Sequence, residues 1–314
     1  MAMKLEQLRS FEAVARLGTF TAAAEELYVS QPSLSRQIAA LEGDVRAELF
    51  QRGRNGADLT NAGETLLPFA RRMLADADLA RREIDELAGL RRGRLRIGAP
   101  PTLCVSILAD ALARFSPAHP GVELLVTEAG NEDLVVALNE GQLDLALVVT
   151  RDSVPPQPGT ELVELLTEEL VVVSSSARPL PGFDDDPAEL TLAQLAELPQ
   201  VVFNRTYDLR IATDASFAAE GLRPRIAVEG AEMDAVLRFV ERGIGVAVVP
   251  AMIVANRPEL RATRLVEPAL SRTANLARRT NVRPTAAGAA MQEVVFDLVA
   301  RLAIPGVHPA ASLP

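Results

Sequence analysis

The amino-acid sequence predicts an α/β protein headed by a separate all-α segment. Three observations carry that prediction. Residues 17–42 read as two short helices joined by a tight turn. Residues 61–90 carry an apolar heptad pattern on one long helix. From Arg94 onward, short β-rich runs alternate with amphipathic stretches, which implies α/β units on mainly parallel sheets.

In the first segment Leu5, Leu8, Phe11 and Ala15 share one face of a helix. Gly18 suits the left-handed residue that ends it. Thr19 or Thr21 caps the next helix, whose apolar face is Phe20, Ala24 and Leu27. The turn is Val29-Ser30-Gln31, and Pro32 fits the first turn of the following helix, where its missing N–H is not needed. There Leu34, Ile38 and Leu41 point inward, which leaves Gln31, Pro32, Ser33, Ser35, Arg36 and Gln37 outward or at the leading end. Arg pairs with guanine and Gln with adenine in a major groove, while Ser hydroxyls and free N–H groups suit phosphates. The pattern alone fits a DNA-reading helix-turn-helix and an ordinary polar-surfaced helical hairpin equally well. Downstream, Leu49-Phe50-Gln51-Arg52 and Arg54-Asn55-Gly56-Ala57-Asp58-Leu59 read as a two-stranded wing, which adds Arg52 and Arg54 as candidate DNA contacts.

A helix then starts at Asn61-Ala62-Gly63. Leu66, Ala70, Met73, Ala77, Ala80, Ile84 and Leu87 repeat at alternating spacings of four and three, a candidate dimerisation seam. A dimer matches a palindromic DNA site. Arg91-Arg92-Gly93 is the natural hinge after it.

The run from Leu8-Arg9-Ser10-Phe11 through Ser30-Gln31-Pro32-Ser33-Leu34-Ser35-Arg36-Gln37-Ile38, Leu41-Glu42, Leu49-Phe50 and Leu59-Thr60-Asn61-Ala62-Gly63 resembles the LysR-type transcriptional regulators. Two positions depart from that pattern. The family usually has Leu-Gly where this chain has Val45-Arg46, and often has Arg where this chain has Asn55, so Arg54 is the candidate substitute in the wing.

In the remainder, strands are expected at Arg94–Ala99, Val122–Glu128, Asp144–Val149, Leu170–Ser174, Val201–Phe203, Arg225–Glu229, Gly245–Val249 and Ala274–Arg278. Helices lie between them, and a last helix covers Thr285–Ala303. Arg96-Ile97-Gly98, His119-Pro120, Gly141-Gln142-Leu143-Asp144 and Gly243-Ile244-Gly245-Val246 agree with the effector domain of the same family. The resemblance implies an α/β fold class with an N-terminal all-α winged helix-turn-helix, a long dimerisation linker helix and a C-terminal two-lobed α/β domain like that of periplasmic binding proteins. Its boundaries are a DNA-binding domain at 1–60, a linker helix and hinge at 61–92 and an effector domain at 93–304. Lobe I takes 94–165 plus 267–304, lobe II takes 166–266, and 305–314 is a flexible tail.

Ligands of open α/β sheets bind beyond the carboxyl ends of strands. Those ends here are Ala99-Pro100-Pro101, Gly130-Asn131, Val149-Thr150 and Phe203-Asn204, with Thr102 capping a helix. The resemblance matches Thr102, Asn131, Val149 and Asn204 to pocket positions, flanked by Pro101, Leu103, Thr150 and Phe203. Hydroxyl and amide groups at helix starts suggest a small anionic effector. Arg205 is a further candidate for a carboxylate.

Composition sets limits. The net charge is −10, with 13 basic and 14 acidic residues in 1–92, so DNA contact rests on local placement of a few Arg. No apolar run reaches membrane-spanning length and no signal segment opens the chain, which suggests a cytoplasmic protein. Cys104 is the single cysteine, which excludes an intramolecular disulfide, and its pattern suggests a small buried hydrophobe. Neither His119 nor His308 has metal-ligand neighbours, and no nucleophile elbow or phosphate loop is present, so no metal, cofactor or enzymatic activity is expected. The partners implied are double-stranded promoter or operator DNA, a small effector, a second copy in a homodimer, a homotetramer, and RNA polymerase if the regulator activates. The competing class is an α/β enzyme or solute-binding module with an incidental helical head.

Overall fold

The computed structural model describes residues 3–53, 56–87, 93–150, 158–180, 183, 187–230, 232–280 and 282–313. They form two compact units, Met1–Gly93 with Val136–Leu143, and Arg94–Val135 with Asp144–Pro314.

The first unit is built on three short helices. Helix α1 (Leu5–Leu17) ends at Gly18, whose φ of 71° lets its N–H reach back to the Val14 carbonyl. Thr19 caps α2 (Phe20–Glu26) by accepting from the Ala22 N–H at 3.2 Å. Ser30 caps α3 (Gln31–Val45) through the Ser33 N–H, with Pro32 in the first turn. Leu34, Ile38 and Leu41 are fully buried against Leu8, Phe11 and Val14. Each such side chain stabilises the unit by roughly 1.5–3 kcal/mol. Strands β1 (Phe50–Gly53) and β2 (Gly56–Leu59) pair antiparallel as the wing. Phe50 seats the wing by packing on the rings of Phe11 and Phe20, at 5.4 and 5.7 Å.

Helix α4 (Asn61–Leu87) follows. The Thr60 hydroxyl accepts from the Gly63 N–H and donates to the Glu48 carbonyl. Gly63 is required there, because a Cβ would stand 2.3 Å from the Leu49 carbonyl oxygen. The anticipated dimer seam is partly spent within the unit. Ala70 is fully buried, and Leu66 and Met73 pack on the same core. Among the described side chains of α4, the exposed large apolar ones are Phe69 and Ile84, which are 59% and 66% exposed. Ala77 is half-buried and Ala80 exposed. The side chain of Leu87 lies outside what is described.

The second unit begins with β3 (Arg94–Ala99). A continuous helical stretch follows: α5 (Pro101–Leu103), a π-helical turn (Cys104–Leu108) and α6 (Ala109–Ala118). Next come β4 (Glu123–Glu128), α7 (Asn131–Asn139) and β5 (Leu145–Thr150). Strand β6 (Thr160–Ser175) is much longer than the Leu170–Ser174 run its apolar residues suggest. Strand β7 (Glu189–Thr191), α8 (Leu192–Glu197), β8 (Pro199–Val202), α9 (Asp208–Ala219), β9 (Arg225–Glu229), α10 (Met233–Glu241) and β10 (Ala247–Pro250) follow. Then come α11 (Ala251–Val254), β11 (Leu260–Val266), β12 (Ser271–Arg279), α12 (Ala286–Ala300) and β13 (Val307–Pro309).

The main sheet runs β4-β3-β5-β12-β6-β11-β7. It is mixed, not mainly parallel. Strand β3 is parallel to β4 and β5, but β12 is antiparallel to both β5 and β6. Strand β6 serves two sheet halves. Residues up to Glu169 pair with β12, and Leu170 onward pairs with β10 and β11. The exchange of partners therefore falls between Glu169 and Leu170, later than the division at 165/166 that the resemblance implies. Glu161, Glu164, Glu168 and Glu169 conceal the first half of β6 from a hydropathy reading.

The tail does not hang free. Strand β13 pairs antiparallel with β6, placing Val307 opposite Glu168 and His308 opposite Thr167. Val307 is buried, and Ala310 N–H donates to the Leu165 carbonyl at 2.8 Å. The Gly in 306 turns the chain onto the sheet at φ 74°.

Helix α3 ends at Arg46, which adopts the left-handed conformation at φ 58°. This is the position where the resemblance carries Gly, and an L-residue with a Cβ pays there. Arg46 is exposed, so little packing is lost on its removal. Arg46→Gly is expected to stabilise the first unit by about 0.5–1 kcal/mol, read as a higher urea midpoint at unchanged slope.

Candidate functional site

Two regions concentrate the predicted site residues. The first is the leading end of α3. Gln31, Pro32 and Arg36 are exposed, and Ser33 and Ser35 are half-buried. The buried Leu34, Ile38 and Leu41 fix this face outward, because they share the opposite side of the helix. Arg36 Nε donates to the Pro32 carbonyl at 3.3 Å, which lays the guanidinium back along the helix start. Gln37 is different. Its amide oxygen accepts from the buried Ser10 hydroxyl of α1, so it braces α3 against α1. Arg52 lies on β1, though its side chain is outside what is described, and Arg54 and Asn55 fall outside the described residues altogether.

The second region is a cavity of about 340 Å³ in the second unit. It opens at the carboxyl ends of β3 and β4, facing the start of α9. Of the predicted residues, Pro101, Thr102, Val149 and Asn204 line it. Pro100, Glu128, Ala129, Gly130, Asp133, Thr206, Tyr207, Asp208, Leu209 and Arg272 complete the lining.

The other predicted residues support the wall. Leu103 is fully buried in the main core. Asn131 Oδ1 accepts from the Val149 N–H at 2.9 Å, and its Nδ2 donates to the Val149 carbonyl at 3.0 Å and to Asp208 Oδ2 at 2.9 Å. It thereby ties the start of α7 to the end of β5 and the start of α9. The Thr150 hydroxyl accepts from Asn275 Nδ2 at 2.8 Å. Phe203 is buried and stacks on Tyr207, with ring centres 4.6 Å apart. The Asn204 oxygen accepts from both the N–H and the hydroxyl of Thr206 and shapes the loop before α9. Arg205 pairs with Glu229 at 3.0 Å and does not line the cavity.

Sequence reasoning missed the residue at the deep end. Arg272, on β12, is 6% exposed, and Thr102 is 2% exposed. Arg272 Nε donates to Glu168 Oε1 at 2.8 Å, its Nη2 lies 2.7 Å from the same oxygen, and its Nη1 donates to Thr102 Oγ1 at 3.0 Å. Glu168, on β6, is fully buried, and its other oxygen accepts from the Met252 N–H of α11 at 3.3 Å. Strand β12 carries three Arg among Ser, Thr and Asn, so no local signal singles Arg272 out.

The anion site anticipated at the start of α5 is mostly consumed. Pro101 has no N–H, and the N–H groups of Leu103 and Cys104 both donate to the Pro100 carbonyl. The mouth of the cavity carries Glu128 and Asp133, both exposed, and the half-buried Asp208. A purely anionic effector meets those carboxylates. Burial pushes the Tyr207 phenol up to about 12, so it stays neutral and able to donate. Burial, followed by the charge of nearby Glu128, pushes the half-buried Cys104 thiol up to about 11, which removes the thiolate that redox chemistry needs. Among the described residues, no three His, Cys, Asp or Glu side chains gather in a metal-binding group. No described helix is long and apolar enough to cross a membrane.

Two family models match the chain. Residues 5–64 match the helix-turn-helix of bacterial regulatory proteins of the lysR family, and residues 88–298 match the LysR substrate binding domain. The chain is 32% identical to the HTH-type transcriptional regulator IlvR of Caulobacter vibrioides, covering 91% of this chain and 96% of that one. Full-length CbnR in complex with its target DNA has 28% identity and a TM-score of 0.63, covering 93% and 99% of the two chains. Full-length OxyR from Pseudomonas aeruginosa, at 22% identity and a TM-score of 0.71, shares the fold over 96% of this chain and 99% of that one.

Breaking the Glu168–Arg272 pair leaves an uncompensated buried charge. Glu168→Ala is expected to destabilise the second unit by about 3–5 kcal/mol in urea denaturation. The double variant Glu168→Leu/Arg272→Met should recover most of that loss, because it removes both charges together.

Proposed function

The chain belongs to the LysR family of transcriptional regulators, and from that premise we propose that α3 reads DNA sequence while the cavity of the second unit takes the effector that modulates it. The family's members regulate transcription and are not enzymes, so the competing enzyme reading falls away. The observation that carries the DNA assignment is the outward face of α3, where Gln31 and Arg36 are exposed and Ser33 and Ser35 half-exposed, opposite the buried Leu34, Ile38 and Leu41. Gln37 is assigned to positioning, because its amide oxygen is held by Ser10. Arg52 and Arg54 of the wing are the phosphate or minor-groove contacts in this reading.

The dimerising face of α4 is shifted from the heptad first drawn. Leu66, Ala70 and Met73 serve their own unit, which leaves Phe69, Ala80 and Ile84 facing solvent. Those three lie within about 60° of arc on the helix. A second copy of the chain covers this face and sets two recognition helices on an inverted repeat. Exposed apolar side chains on the edge strands of the second unit, Leu125 and Val126 of β4 and Ile226 of β9, support further pairing toward a tetramer. RNA polymerase is a partner if the regulator activates, and a cytoplasmic location accords with these partners.

Two outcomes test the reading. In gel-shift competition against DNA upstream of its own coding sequence, Arg36→Ala should lose about 1–3 kcal/mol of discrimination between that DNA and a scrambled duplex. Equal selectivity would remove α3 from the recognition role. The double variant Phe69→Glu/Ile84→Glu should shift the sedimentation of the protein to that of the monomer, and an unchanged dimer would place the seam on another face.

A further inference from the structure

The cavity has two chemically opposite ends. Its deep end gathers hydrogen-bond donors. The Arg272 guanidinium is more than nine-tenths buried and lines the space. The Thr102 hydroxyl accepts from Arg272, which leaves its own proton to donate. The Tyr207 phenol oxygen is sealed from solvent and, among the described residues, has no hydrogen-bond partner. A buried donor without an acceptor is costly, and an acceptor brought by a ligand relieves it. The mouth is the reverse, with carboxylates at Glu128, Asp133 and Asp208.

An anion alone satisfies the donors but must pass and remain beside three carboxylates. A cation alone satisfies the carboxylates but leaves the Tyr207 phenol and Arg272 Nη2 without an acceptor. We propose that the effector is amphoteric, a small molecule that presents a carboxylate-type group to Arg272, Thr102 and Tyr207 and an ammonium group to Glu128, Asp133 and Asp208. This rests on the reading of the cavity as the effector site and names the class of molecule that site selects. Glu128 and Asp133 set the selectivity for the ammonium, since both are exposed at the mouth, whereas Asp208 is also bonded to Asn131.

The chain supplies its own reporter. It has no Trp and only two Tyr, Tyr28 and Tyr207. Tyr28 lies in the first unit and is 96% exposed, so Tyr28→Phe leaves Tyr207 as the sole emitting tyrosine. The full-length Tyr28→Phe protein is titrated with four probes of one chain length: norvaline, 5-aminopentanoate, pentanoate and pentylamine. At least one of the two amino acids is expected to change the emission at a concentration about tenfold lower than either singly charged probe. In Glu128→Gln/Asp133→Asn that advantage should collapse while the response to pentanoate holds or strengthens. Equal response to pentanoate or to pentylamine in the unsubstituted mouth overturns the amphoteric class, as does silence to all four probes. Failure of the underlying site reading looks different: a low-molecular-mass cell extract would then change neither the tyrosine emission nor the DNA footprint.

Discussion

The buried ion pair between Glu168 and Arg272 holds together the inner end of the cavity and the strand shared by both sheet halves. Burying two charges is expensive, and hydrogen bonds to other groups offset part of that cost, although Arg272 Nη2 makes none among the described residues. Glu168 takes the Met252 N–H, and Arg272 gives to Thr102. Glu168 sits on β6 one residue before that strand changes sheet partners, and Arg272 sits on the adjacent β12. A single hydrogen-bonded chain thus runs from the cavity lining to the strand shared by both sheet halves. In the proposed reading, a ligand group that competes for Thr102 or Arg272 reaches that strand through Glu168 alone.

Asn131 provides the second tie. Its amide grips both backbone groups of Val149 and reaches Asp208 at the start of α9. The cavity lining therefore draws on the ends of β3, β4 and β5, on Arg272 of β12 and on the loop between β8 and α9, and Asn131 ties three of these parts together. Occupancy that favours one separation of those parts shifts the population toward it. The tail strengthens the same construction, because β13 pairs with β6 beside Glu168 and covers what would otherwise be an open edge.

The first unit follows a different logic. Its stability resides in a small apolar core, and its chemistry in what that core leaves outside. Phe11, Phe20 and Phe50 lock the wing to the helices, while Leu34, Ile38 and Leu41 orient α3. Arg46 shows that the bend after α3 is imposed by this packing and not by the residue that occupies it, since a side chain that resists a left-handed conformation is held in one.

The sequence by itself determined the helix-turn-helix, a Thr cap at 19 or 21, the inward face of α3 and most of the strands after Arg94, but not β7, β11 or β13. Those features are local, and capping chemistry and side-chain periodicity act over a few residues. It also reached Thr102 and Val149 of the cavity lining through their places at strand ends. Only the tertiary structure decided which seam of α4 is free, because Leu66, Ala70 and Met73 look the same in a heptad whether they meet a partner helix or their own α1. It alone showed that Gln37 and Asn131 spend their amides on the protein, that residues 307–309 form a strand, and that Arg272 reaches Thr102 across 170 positions of chain. Long-range pairing of polar groups leaves no periodic trace in a sequence, and in this protein the character of the cavity depends on that pairing.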